Sequence, residues 1–187
     1  MANSSKRDLL IAAASTRFFQ QGIARTTLAD IAQEAGIPLG NVYYHFRTKE
    51  AILEAVIEAH VQQLQTLFAH WNREVADPRE RLLALIEWER SSESLLVRYG
   101  CPYGSLAQEL GKEDTQLVTM AIRMLQTYLD WTEEQFEHLG KDEQEAKDLA
   151  FDMVAWFQGS ILLSAGFRSP QLLERKLERM EMWIRSL

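Results

Sequence analysis

The sequence predicts an all-α protein, and three observations carry that prediction. Apolar residues recur at spacings of three and four along nearly the whole chain, which is the period of a helix face. Only four prolines and nine glycines interrupt 187 residues, so long stretches have no breaker. No segment alternates apolar and polar residues as a half-buried strand does.

About nine helices follow in order. The first spans about residues 5–21, with Leu10, Ala14 and Phe18 on one face and Gly22 at its end. The second begins after Thr27, whose hydroxyl can cap it with Asp30 three residues on; it turns Ile31, Ala32 and Ala35 inward and stops at Gly36. A short third helix covers about residues 39–45. Thr48 caps a fourth, which the stripe Leu53, Val56 or Ile57, His60, Leu64, Leu67 or Phe68, and Trp71 continues for more than twenty residues. Asp77 followed by Pro78 opens a fifth, to about residue 98. The sharpest break is GCPYG, residues 100–104. A short helix at about 105–110 precedes a long one at 114–138, where Leu117, Ala121, Met124, Tyr128 and Phe136 stay in phase.

The eighth helix, about 142–167, is apolar on nearly every side from Leu149 onward, so it needs cover on two faces. Its Ala155, Gly159 and Gly166 let another backbone come close, while Asp152, Gln158, Ser160 and Ser164 argue against a membrane span. Ser169-Pro170 opens the ninth, in which Leu173, Leu177, Met180, Ile184 and Leu187 form a heptad seam. That seam packs either on helices of its own chain or, with the spare face of the eighth helix, on a second copy. The sequence reading favours a homodimer through residues 149–187.

Charge and cysteine content narrow the function. The net charge is −7, yet residues 1–50 hold six Lys and Arg against four acids, a balance of +2, and the rest of the chain carries −9. The first quarter is therefore the part suited to an anion. A lone cysteine, Cys101, makes no intramolecular disulfide and anchors no zinc ribbon, and MANSSKRDLL lacks the apolar stretch of a secretory signal, so a cytoplasmic setting is expected.

The two short helices at 28–35 and 39–45, with Gly36 between them and small Ala32 at their crossing, have helix-turn-helix spacing. Such a pair also occurs in ordinary bundles, but the second helix reads LGNVYYHFRTK, with polar or aromatic Asn41, Tyr43, Tyr44 and His45 around inward Val42 and Phe46. The stretch TTLADIAQEAGIPLGNVYYHFRTKEAIL, from Thr26 to Leu53, resembles the signature of the TetR family of one-component transcriptional regulators. The helix before it, with Phe18-Phe19 and Gly22-Ile23, fits as well, and GCPYGSL resembles a motif of one subgroup.

The resemblance implies a helix-turn-helix DNA-binding domain at 1–49, with its motif at about 29–48, and a helical ligand-binding and dimerisation domain at 50–187. It implies a repressor released from a palindromic operator by a small molecule. A recognition helix offers its N-terminal residues to base edges, so Leu39, Gly40, Asn41 and Tyr44 are the base-reading candidates, with Asn41 suited to adenine and Leu39 to a thymine methyl. Thr27, Tyr43, His45 and Lys49 are placed for phosphates, and the family's tyrosine, histidine and lysine positions contact the DNA backbone. Apolar Leu39 and small Gly40 depart from the polar readers also seen there. Tyr44 has the alternative of packing beneath the fourth helix, and Lys6 and Arg7 are either an arm along the phosphates or merely solvated.

For the effector, Trp88, Tyr103, Tyr128 and Trp156 stand out as amphipathic aromatics on or beside the central helices. Cys101, between Gly100 and Pro102 near a helix start, is either a small buried turn residue or a thiol of lowered pKa that senses electrophiles. No metal or cofactor is expected. An enzyme is the rival class, but His45, His60, His70 and His138 all lie in helical patterns without E-x-x-H or H-E-x-x-H spacing. A helical adaptor is the third class, and salt-dependent binding to duplex DNA separates it from a regulator.

Overall fold

The computed structural model describes residues 5–111 and 116–187, and among them it forms ten α-helices and no strand. They are α1 (Lys6–Gln21), α2 (Leu28–Ala35), α3 (Leu39–His45), α4 (Lys49–Glu74), α5 (Pro78–Ser91), α6 (Glu93–Tyr99), α7 (Pro102–Leu110), α8 (Gln116–His138), α9 (Glu143–Phe167) and α10 (Pro170–Ser186). The all-α fold is the one expected. The segment read as a single fifth helix breaks at Ser92, whose N–H turns back to the Glu89 carbonyl. Pro102 starts α7 earlier than residue 105 because a first-turn proline needs no N–H partner. The expected start at residue 114 lies outside the described residues.

Contacts gather the chain into two compact units, residues 1–63 with 105–124, and residues 64–104 with 125–187. These units do not follow a division at residue 50. In the first, the local signals close as their chemistry dictates. Ser5 and Asp8 form a capping box on α1, and Thr27 and Asp30 form another on α2. Gly36 takes the left-handed conformation after α2, and its N–H and that of buried Ile37 satisfy the helix's last carbonyls. Leu10, Phe18, Ile31, Val42, Phe46, Ile52, Leu53 and Ile57 are buried.

In the second unit, α10 packs on α5, α6 and α9. Leu173, Leu177, Met180 and Ile184 are all buried there within one chain, Leu177 being 1% exposed. The heptad seam is therefore internal, which corrects the reading that gave it to a subunit interface; a 3.5-residue period fits any helix neighbour, including one of the same chain. The spare apolar face belongs to α9. Its inner row, including Met153, Phe157 and Ile161, is buried, whereas Phe151, Leu162, Leu163 and Phe167 are exposed. By length and composition α9 could cross a membrane, but that inner row lies in the core.

Candidate nucleic-acid interface and effector cluster

The candidate interface is built from α2, α3 and the start of α4. Val42 and Phe46 anchor α3 from below, so Leu39, Gly40, Tyr43 and Tyr44 form its exposed side. Tyr44 is 85% exposed and Tyr43 52%, which settles the alternative in which Tyr44 packs beneath α4. Asn41 and His45 are half-buried, and the Tyr44 and His45 rings meet edge to face at 5.1 Å. A short helix anchored on one side, with its other side and N-terminal residues free in water, is what a groove-entering helix offers.

Thr27 is exposed at the α2 N-cap. Its hydroxyl donates to Asp30 Oδ2 at 2.7 Å and accepts from the Asp30 N–H; the hydroxyl bond, with a second from the Thr27 N–H to the same oxygen, holds the Asp30 carboxyl below its usual range. Lys49 is half-buried in the first turn of α4, where Thr48 Oγ1 accepts from the Ala51 N–H. The Lys49 ammonium donates to the Ile23 carbonyl at 2.9 Å, a partner that sequence spacing did not reveal. Arg7 stacks its guanidinium 5.2 Å from the Phe46 ring centre, so one of the two arm candidates is engaged on the core of this unit.

The predicted effector residues divide. Trp88, Tyr103 and Tyr128 come together, with ring centres 6.4 Å apart for Trp88 and Tyr128 and 5.7 Å for Tyr103 and Tyr128. Trp156 meets Trp183 instead, in a tilted pair with ring centres 6.1 Å apart. At the centre of the first group lies Glu89, which sequence reasoning missed because an acid inside LIEWER reads as a solvent-facing charge. Its carboxylate accepts from the Tyr128 hydroxyl at 2.9 Å. Burial pushes the carboxyl up to about 7, against the pull of that hydroxyl. Burial, with Glu89 adding to it, also raises the Tyr103 and Tyr128 hydroxyls.

Cys101 is buried beside the same group, and Gln158 Nε2 donates to its Sγ at 3.3 Å. Burial pushes the thiol up to about 11, with the Glu89 charge second, which is opposite to the lowering that the sensing alternative requires. The thiolate is the reactive form, and a thiol held protonated is a poor sensor. The small-buried-residue reading fits this site. Gly104, one turn on, is packed so closely on Gln158 that an added Cβ would stand 2.5 Å from its Oε1.

Comparison with known proteins agrees with this geometry. Residues 4–56 match the profile of bacterial regulatory proteins of the tetR family, and residues 78–178 match the LmrA/YxaF-like C-terminal domain of transcriptional regulators. The HTH-type transcriptional regulator LmrA of Bacillus subtilis is 30% identical over 173 residues, covering 88% of each chain. The HTH-type transcriptional repressor KstR2 of Mycolicibacterium smegmatis is 35% identical over 82 residues, covering 44% of this chain and 40% of its own. Among solved structures, a TetR transcriptional regulator from Legionella pneumophila superposes with a TM-score of 0.85 at 19% identity, over 97% of this chain and 98% of that one. A helix-turn-helix with an aromatic exposed face, continued by a helical domain of LmrA type, places this chain in the TetR family of DNA-binding transcriptional regulators.

Proposed function

We propose that this regulator is a ligand-responsive repressor, a cytoplasmic homodimer without enzymatic activity that leaves a palindromic operator when a small molecule binds. The observation that carries the reading is the exposed side of α3, where Tyr43 and Tyr44 stand in water above a buried Val42 and Phe46. Residues 1–49 supply the reading head and residues 50–187 the effector and dimer functions. Leu39, Gly40, Asn41 and Tyr44 read base edges, and Thr27, Tyr43, His45 and Lys49 meet phosphates. Two similar proteins are named as a regulator and a repressor of transcription, which supports the repressor role.

A dimer through the exposed Phe151, Leu162, Leu163 and Phe167 of α9 gives two heads for two half-sites about one or more helical turns apart. The effector is assigned to the group formed by Trp88, Tyr103 and Tyr128 around Glu89, with Trp156 a separate candidate. The test is selection of duplexes from a randomised library, followed by titration at several salt concentrations with all single-base variants of the selected site. Palindromic enrichment and a steep salt dependence are expected, with Asn41→Ala flattening the preference at one base pair of each half-site. An unchanged preference profile in Asn41→Ala would remove that residue from base reading.

A further inference from the structure

The loop between α1 and α2 is held from two sides by charged groups distant in sequence. On one side the Glu109 carboxylate, from the last turn of α7, accepts two consecutive backbone N–H groups: Ile23 N to Oε2 at 3.0 Å and Ala24 N to Oε1 at 2.8 Å. On the other side the Lys49 ammonium donates to the Ile23 carbonyl. Gly22 makes the carboxylate's approach possible. Its φ is +83°, and a Cβ there would lie 3.3 Å from Glu109 Oε2. The same loop leads directly into Thr27, the cap of α2.

The sign of the charge is informative. A carboxylate in the DNA-reading unit raises the cost of bringing that unit to a phosphate backbone. Glu109 nonetheless spends both its oxygens on the loop that connects the two ends of the interface, Thr27 after it and Lys49 beside it. We infer that Glu109 is a positioning residue for DNA binding: its bidentate hold on the Ile23 and Ala24 amides fixes the loop against which Lys49 is oriented and from which α2 starts. This rests on the chain's being a DNA-binding regulator.

Electrostatics and positioning predict opposite signs for one substitution. Glu109→Gln removes a negative charge, which by itself tightens DNA binding, but it leaves one acceptor where two N–H donors converge. The positioning role predicts weaker binding instead, by roughly tenfold for the loss of a charge-assisted hydrogen bond. The measurement is titration of wild type and variant with a duplex selected by the wild-type protein, together with hydrogen exchange at the Ile23 and Ala24 amides. Weaker binding with loss of protection confined to those amides is expected, and Glu109→Asp, which keeps the charge on a shorter arm, should fall between. Binding as tight as wild type or tighter in a folded Glu109→Gln variant overturns the inference. Should that variant fail to fold, Glu109→Asp decides, and unchanged affinity in it overturns the inference equally. If wild type binds no duplex, the DNA-binding reading has failed, and amide protection still reports on the clasp.

Discussion

Tyr44 and Glu89 mark the two ends of what single residues do here. Tyr44 makes little use of the fold, so Tyr44→Ala should change unfolding stability by no more than about 0.5 kcal/mol, the usual range for a surface substitution. It should nevertheless weaken operator binding; a variant that binds with wild-type affinity would take Tyr44 out of the interface. Glu89 is the opposite case, a buried acid whose proton is held more tightly in the folded chain, about 7, than at its ordinary value of 4.5. The folded state therefore binds more proton between these values, and its stability falls as pH rises through that window, by on the order of 3 kcal/mol in total. Urea unfolding of wild type and Glu89→Gln checks this. The variant's advantage should be near zero at about pH 4, grow up to about pH 7 and then level off, and a difference that is flat with pH would contradict it. Residues whose role follows from local pattern, such as Val42, Phe46 and the Thr27 cap, were legible in the sequence. Glu89 and the Lys49 partner were not, because their environments are made by segments tens of residues away.

At the scale of elements, α10 loses the interface role that its heptad repeat suggested, while α9 keeps its spare apolar face. The heptad repeat of α10 is spent inside the chain, so Leu177→Ala should cost roughly 2–5 kcal/mol of stability, as other buried leucine truncations do. The proposed interface lies on α9, where a double substitution of Leu163 and Phe167 by Glu should give a helical monomer in sedimentation. A dimer that survives it would place the interface elsewhere. The end of α4 shows how an element is closed by a residue that no helix-end signal announces. Arg81 of α5 donates to the carbonyls of Asn72 at 3.2 Å and Val75 at 2.6 Å, and also to Gln135 Oε1, supplying partners that the last turn lacks. Helix starts set by the residue just before them, at Thr27, Thr48, Asp77 and Ser169, could be read from sequence. This one required the fold.

For the whole molecule, the all-α layout and the reading head were legible because helical period and capping are local, and because the first fifty residues carry a dense signature. The candidate effector group was legible only in part: three of four aromatics converge, while Trp156 pairs with Trp183, since helical phase tells which residues are inside and not which of them meet. An effector that releases DNA must bind the DNA-free state more tightly, and a coupling of about 1–3 kcal/mol changes DNA affinity about 5–150-fold. Linkage then requires saturating operator to weaken effector binding by the same factor. Calorimetry with an effector found by screening checks this, and an effector affinity untouched by DNA would rule out a two-state switch.

The open apolar face of α9 also makes quantity matter. If two chains must meet on Phe151, Leu162, Leu163 and Phe167 before two heads can engage a palindrome, operator occupancy rises with the square of the free monomer concentration below the dimer dissociation constant. Titrations there should show a lag that vanishes at higher protein concentration, and the thermal midpoint should climb as the protein is concentrated. A cell holding few copies would then answer a doubling of their number with about a fourfold rise in operator occupancy.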